Sequence, residues 1–200
     1  MSKTIHYFFA PQSPYVYLGH ERLLKLAAQY GAMIEPQPFD IGAVFSETGG
    51  LPLAKRAPPR QAYRLQELER WSRHLGLPMN LQPKFFPVDQ APASLLLIAA
   101  RTQGGADQAL ELGGAIMRAV WAEEKNIADA ATLEQLAGDA GFDGAALLAA
   151  SREAQVQQQY HGFTREAIDA GLFGAPWYVV DGQSFWGQDR LDFVERRLKV

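Results

Sequence analysis

The chain has 200 residues, 48% hydrophobic and 20% charged, which gives a globular protein with enough apolar surface for one core. With 19 Lys and Arg against 22 Asp and Glu, the net charge is -3, and the summed positive field that draws in nucleic acid is absent. There is no cysteine, which excludes disulfides, a thiolate nucleophile, a CxxC redox pair and cysteine-bound zinc; any sulfur chemistry must use a thiol brought in from outside.

Residues 1–10 lack the apolar stretch of a signal peptide and no 18-residue apolar run follows, so a cytoplasmic protein with no membrane partner is expected. Residues 5–9 are β-branched and aromatic and read as a buried strand, ended by Ala10-Pro11-Gln12. Ser13-Pro14 then opens a helix over about 14–30. Serine is a favoured cap, proline is tolerated where its missing donor is not needed, and Gly31 closes the segment. Residues 32–39 contain Pro36 and Pro38 and read as an edge strand. From 41 to 59 the composition shifts to Gly, Pro, Ser and Thr, after which helical periodicity continues to about 158, with helices over 61–75, 91–102, 106–123, 130–140 and 143–150. A helix over 164–170 capped by Gly171 follows. Strands over 177–180 and 184–186 flank Asp181-Gly182, a dipeptide suited to the positive φ of a tight hairpin turn, and a last helix starts at about Asp189. A β-α-β half and an α-β-β-α half, separated by helices, predict an α/β domain with a helical insertion.

Chemistry has three places to sit. Ser13 stands at a helix N-terminus, where unpaired N–H groups and the macrodipole favour negative charge; the plainer reading is a helix cap. Ala175-Pro176 precedes a strand; a cis bond there would present the Ala175 N–H and C=O to an extended peptide-like ligand, while a trans bond would make a plain turn. Gly187-Gln188-Asp189 can face an ammonium group through Gln188 and Asp189, or Asp189 can be a capping acid paired with Arg190. His6, His20, His74 and His161 show no ligand spacing, so no metal is expected, and no phosphate-binding or nucleophile-elbow motif occurs. Lys55, Arg56 and Arg60 form a compact basic group that is either solvated or binds an acidic substrate.

Tyr7-Phe-Phe-Ala-Pro-Gln-Ser-Pro-Tyr-Val-Tyr-Leu18, Leu68-Glu-Arg-Trp71, Leu75-Gly-Leu-Pro78, Ala119-Val-Trp121, Phe173-Gly-Ala-Pro176 and Val180-Asp-Gly-Gln-Ser-Phe-Trp-Gly-Gln-Asp-Arg-Leu191 together resemble the 2-hydroxychromene-2-carboxylate isomerase family, which groups with kappa-class glutathione transferases and DsbA-like proteins. The resemblance spans nearly the whole chain. It implies a thioredoxin-like α/β fold with a large all-helical insertion, divided into 1–42 and 159–200 for the two thioredoxin-like halves and 43–158 for the insertion.

The resemblance also implies glutathione as cofactor, a small aromatic carboxylate as substrate and a homodimer. By position, Ser13 is the catalytic serine facing the glutathione sulfur, and Ala175, before a cis Pro176, pairs with the cysteinyl part. Trp186, Gly187, Gln188 and Asp189 match the segment holding the γ-glutamyl end, and Lys55 and Phe85 match substrate-binding positions. Three positions depart from the family's pattern: Ala10 replaces an Asp, Ala54 an Asn, and Trp177 a small Thr or Ser. A kappa-like transferase and a non-catalytic thioredoxin-like binding module are the alternative readings.

Overall fold

The computed structural model describes residues 2–200. Strand β1 (Thr4–Phe9) lies inside the sheet and buries Ile5, Tyr7 and Phe9 on one face and Phe8 on the other. It pairs in parallel with β2 (Met33–Pro38) and antiparallel with β3 (Trp177–Val180), which carries β4 (Gln183–Trp186), in the order β2-β1-β3-β4. The proline-bearing β2 occupies an edge, where a missing donor costs no ladder bond. Asp181 and Gly182 both adopt positive φ and turn β3 into β4.

Helix α1 (Pro14–Tyr30) starts directly after the turn that follows β1 and ends at Gly31 in the left-handed conformation. Helix α2 (Ile41–Thr48) falls in a stretch whose Gly, Pro, Ser and Thr content gives little sign of it. It forms because the Asp40 carboxylate accepts from the N–H groups of Gly42 and Ala43, and Gly49 closes the other end. A 3-10 turn at Leu53–Lys55 leads into α3 (Pro58–Leu75). The two helices expected over 91–102 and 106–123 lie end to end as α4 (Ala91–Trp121), interrupted at Gly105 by a φ of 84°. Helices α5 (Ala130–Asp139) and α6 (Gly144–Ala150) follow, each capped by an aspartate. Helix α7 (Ala154–Asp169) begins ten residues before the helix expected at 164 and passes unbroken through 158. Its buried stripe of Val156, Tyr160, Thr164 and Ala167 supplies the reason. A second 3-10 turn, Gln188–Arg190, precedes α8 (Leu191–Leu198).

These elements build the expected thioredoxin-like fold, a four-stranded mixed sheet with a large helical insertion. The main core runs from Ile5, Tyr7 and Phe9 on one sheet face through Leu18 and Leu23 of α1 to Leu96, Leu112 and Trp121 of α4. A smaller cluster covers the other face, where Phe8 and Trp177 meet Phe39, Val44, Ala167 and Leu172. Among the described residues no helix is long and apolar enough to cross a membrane.

His20 lies buried between α1 and α4. Its Nε2–H donates to the Leu110 carbonyl at 2.9 Å, and its Nδ1 faces the Tyr7 hydroxyl at 3.4 Å. Burial lowers its pKa from 6.5 to about 4, so the folded protein holds it neutral while the unfolded chain protonates it below pH 6.5. This contribution is complete above pH 6.5 and is lost as the pH falls towards the folded value. Between pH 6.5 and about pH 5 urea denaturation should therefore show a loss of about 2 kcal/mol, reduced in a His20→Gln variant. An equal loss in the variant would assign the pH dependence to other groups.

Candidate active site

The strand register brings three segments to one end of the sheet. Phe8 lies opposite Trp177, and Trp177 opposite Trp186. The turn after β1, the loop before β3 and the turn after β4 therefore all leave from the same end, and Gly187 N–H joins two of them by donating to the Pro176 carbonyl at 3.0 Å.

In the first segment, Ser13 N–H donates to the Ala10 carbonyl at 2.8 Å, closing the turn. Gln12 braces it from outside, its carbonyl accepting from Trp121 Nε1 at 3.2 Å and its Oε1 from Val88 N–H at 3.3 Å. Ser13 occupies the cap position of α1 with extended backbone (φ -75°, ψ 128°), yet its hydroxyl makes no capping bond. Pro14 holds the first helical position, and the first turn contains no acidic residue. The helix thus begins with a free, partly buried hydroxyl beside the orphan N–H groups of its first turn, where negative charge is favoured.

In the second segment the Ala175–Pro176 bond is cis, and among the described residues the N–H and C=O of Ala175 have no intramolecular hydrogen-bond partner. Trp177, just beyond, is buried in the smaller core cluster, with the ring of Phe173 edge-on to it at 4.9 Å. Its bulk is accommodated there, beneath the sheet.

In the third segment Trp186 is half exposed and packs edge-on against Phe173 at 4.6 Å. Gly187 adopts φ 105° and ψ 147°. Gln188 is buried, and both its carbonyl and its Oε1 accept from Arg22 of α1, at 3.1 and 2.9 Å. The fit of α1 here needs Gly19, where a Cβ would stand 2.8 Å from Gln188 Cβ. The Gln188 side chain is therefore committed to α1, whereas Asp189 pairs with its neighbour Arg190 at 2.7 Å on the surface, a contact worth little in water.

The phenol of Tyr15, two residues after Ser13, has its pKa raised by burial, with Arg64 and Arg56 opposing the shift and Asp189 adding to it. Those charges therefore lie within electrostatic reach of the start of α1. Lys55 is exposed at the end of its 3-10 turn, and Phe85 is partly buried with the Lys84 ammonium 5.1 Å from its ring centre. A cavity of about 330 Å³ lies between α3 and the loop at 81–87; Leu53, Arg64 and Phe86 line it, while Lys55 and Phe85 do not. Sequence reasoning passed over Arg64, and it gave no role to Gln12 or Trp121 although both lie in the segments that carry the resemblance. For Arg64 the only signal is its place one helical turn after Arg60. Among the described residues no three His, Asp or Glu side chains gather as a metal-binding group.

The DSBA-like thioredoxin domain matches residues 4–199 of this chain. The chain is 34% identical over 199 residues to a 2-hydroxychromene-2-carboxylate isomerase from Sphingobium xenophagum, covering 99% of each. It is 28% identical to glutathione S-transferase kappa 2 from Caenorhabditis elegans, covering 96% of this chain and 90% of the relative. A solved structure of a 2-hydroxychromene-2-carboxylate isomerase superposes with a TM-score of 0.84 at 25% identity, covering 98% of this chain and 94% of the other.

The conformation of Gly187 can be tested on its own. A side chain there is strained at φ 105°, and its Cβ would stand 2.5 Å from the Asp189 carboxylate. Gly187→Ala should lower unfolding stability by about 1–3 kcal/mol in urea titration; unchanged stability would show that the 187–189 turn is free to rearrange.

Proposed function

This chain belongs to the DSBA-like thioredoxin domain family, alongside the 2-hydroxychromene-2-carboxylate isomerases, and from that footing we propose that it is a glutathione-dependent isomerase of a small aromatic carboxylate. The observation that carries the reading is the Ser13 hydroxyl, which stands at the cap position of α1 without capping it. A serine retained only as a cap would spend its oxygen on the helix.

The residues fit glutathione in two further respects. The unpaired N–H and C=O of Ala175 suit an extended peptide backbone, and the 187–189 turn offers the Asp189 carboxylate to an ammonium group. Glutathione, when bound, supplies a thiolate able to add reversibly to a conjugated double bond and so free rotation about it. Ser13 donates its proton to that sulfur in a hydrogen bond, and the N-terminus of α1 lowers the energy of the anion, so the charge is held without a cysteine of the chain. Ala175 and Pro176 align the peptide, Trp186 flanks the γ-glutamyl end, and the backbone of Gly187 and Gln188 shapes the turn that presents Asp189. Lys55, which has no acidic partner among the described residues, and Phe85 serve the substrate. In this reading 1–42 and 159–200 hold the thiol, 43–158 shapes the substrate side, and the enzyme works as a cytoplasmic homodimer in aromatic-compound catabolism.

The similarity to a kappa-class transferase favours a second reading, in which glutathione is joined permanently to an electrophile. Product analysis separates the two, since isomerisation returns glutathione unchanged and conjugation consumes it. Ser13→Ala removes one hydrogen bond to a charged group, about 1.5–3 kcal/mol, so kcat for isomerisation of 2-hydroxychromene-2-carboxylate should fall about 10- to 150-fold with glutathione still bound. Full activity in the variant would reduce Ser13 to a structural residue.

A further inference from the structure

Arg64 is an unpaired cation in the interior. It is only 8% exposed, its Nη2 is buried without a hydrogen-bond partner, and among the described residues no carboxylate forms a salt bridge with it. The acidic residues of α3 are engaged elsewhere, with Glu67 held by Arg70 and Glu69 by Arg73. A buried charge without a counter-ion is costly, and the rings beneath the guanidinium, Phe86 at 5.1 Å and Trp121 at 5.8 Å, offset only part of that cost. Arg56 adds a second positive charge within electrostatic reach, and burial lowers the pKa of Arg64, as an unpaired interior cation requires.

Arg64 is the one charged residue lining the 330 Å³ cavity; apart from the neutral amides of Gln61 and Gln82 the wall is apolar, with Leu53, Leu65, Leu81 and Phe86. One charged fork in a mainly apolar cavity suits a flat hydrocarbon body ending in a carboxylate, which a guanidinium can grip through two parallel N–H bonds. Trp121 connects the chamber to the reactive turn, since its ring lies under Arg64 and its Nε1 holds the Gln12 carbonyl, next to Ser13.

We propose that this cavity is the binding site for the carboxylate end of the second substrate, with Arg64 as the residue that grips it. The inference rests on the glutathione-dependent reading for the reaction served, but the anion site itself can be tested without it. Calorimetry with trans-cinnamate and its neutral analogue cinnamamide measures the charge preference directly. The wild-type protein should bind cinnamate about tenfold or more tightly than cinnamamide, and Arg64→Met should remove that preference. Should Arg64→Met fail to fold, Arg64→Lys decides the matter: the charge remains but the planar fork is lost, and cinnamate affinity should drop about 3- to 10-fold with cinnamamide affinity unchanged. Equal affinity of the wild type for the two compounds overturns the proposal, as does a preference that survives at Arg64 and is lost in Lys55→Met. Glutathione titrated into the wild type in the same series reports the Ser13 site separately. An Arg64-dependent cinnamate preference without glutathione binding would keep the anion site and sink the isomerase reading.

Discussion

Where β1 ends and α1 begins, the chain sets up a charge environment and leaves it unused. A helix of 17 residues starts with a proline, has no acidic side chain in its first turn, and is preceded by a serine whose hydroxyl bonds to nothing in the helix. Orphan N–H groups at such an end would ordinarily be satisfied by a cap worth about 1 kcal/mol. Leaving them open costs stability and makes this end of the helix one where negative charge is favoured, and the proposed site is built around it.

The rest of the fold holds this opening in shape. The central position of β1 fixes where the turn emerges, and β3 and β4 bring the Ala175–Pro176 loop and the 187–189 turn to the same end through their register. The helical insertion reaches back to support it, with Trp121 and Val88 both bonded to Gln12. Arg22 ties the buried Gln188 to α1, so the third segment and the helix move together. The insertion therefore braces the Ser13 turn as well as forming the wall of the neighbouring cavity.

Much of this was legible in the residues. The aromatic run of β1, the Ser-Pro start of α1, the prolines of β2 and the Asp-Gly hairpin each carry a local rule that the structure follows. Helix α2 was hidden because an aspartate cap and a closing glycine sit in a segment of otherwise loop-like composition, and the start of α7 because a polar glutamine run masks its sparse apolar stripe. For the site, local pattern could place Ser13 at a helix start but could not say whether its hydroxyl was spent. Likewise the side chain of Gln188, readable as a ligand group, turns out to face Arg22, and the burial of Arg64 depends on Phe86 and Trp121, which are distant from it in sequence. Such facts arise from packing between elements, which no local pattern encodes.

The central claim is that the open end of α1 and the Ser13 hydroxyl steady a sulfur anion supplied by a bound tripeptide. The direct measurement is the ionisation of glutathione on the protein, followed by the ultraviolet absorbance of its thiolate as pH is raised. The bound thiol should titrate about one unit or more below the free one, and Ser13→Ala should move it back up. Bound glutathione that ionises as it does in free solution, or a value unmoved by the substitution, would contradict the account.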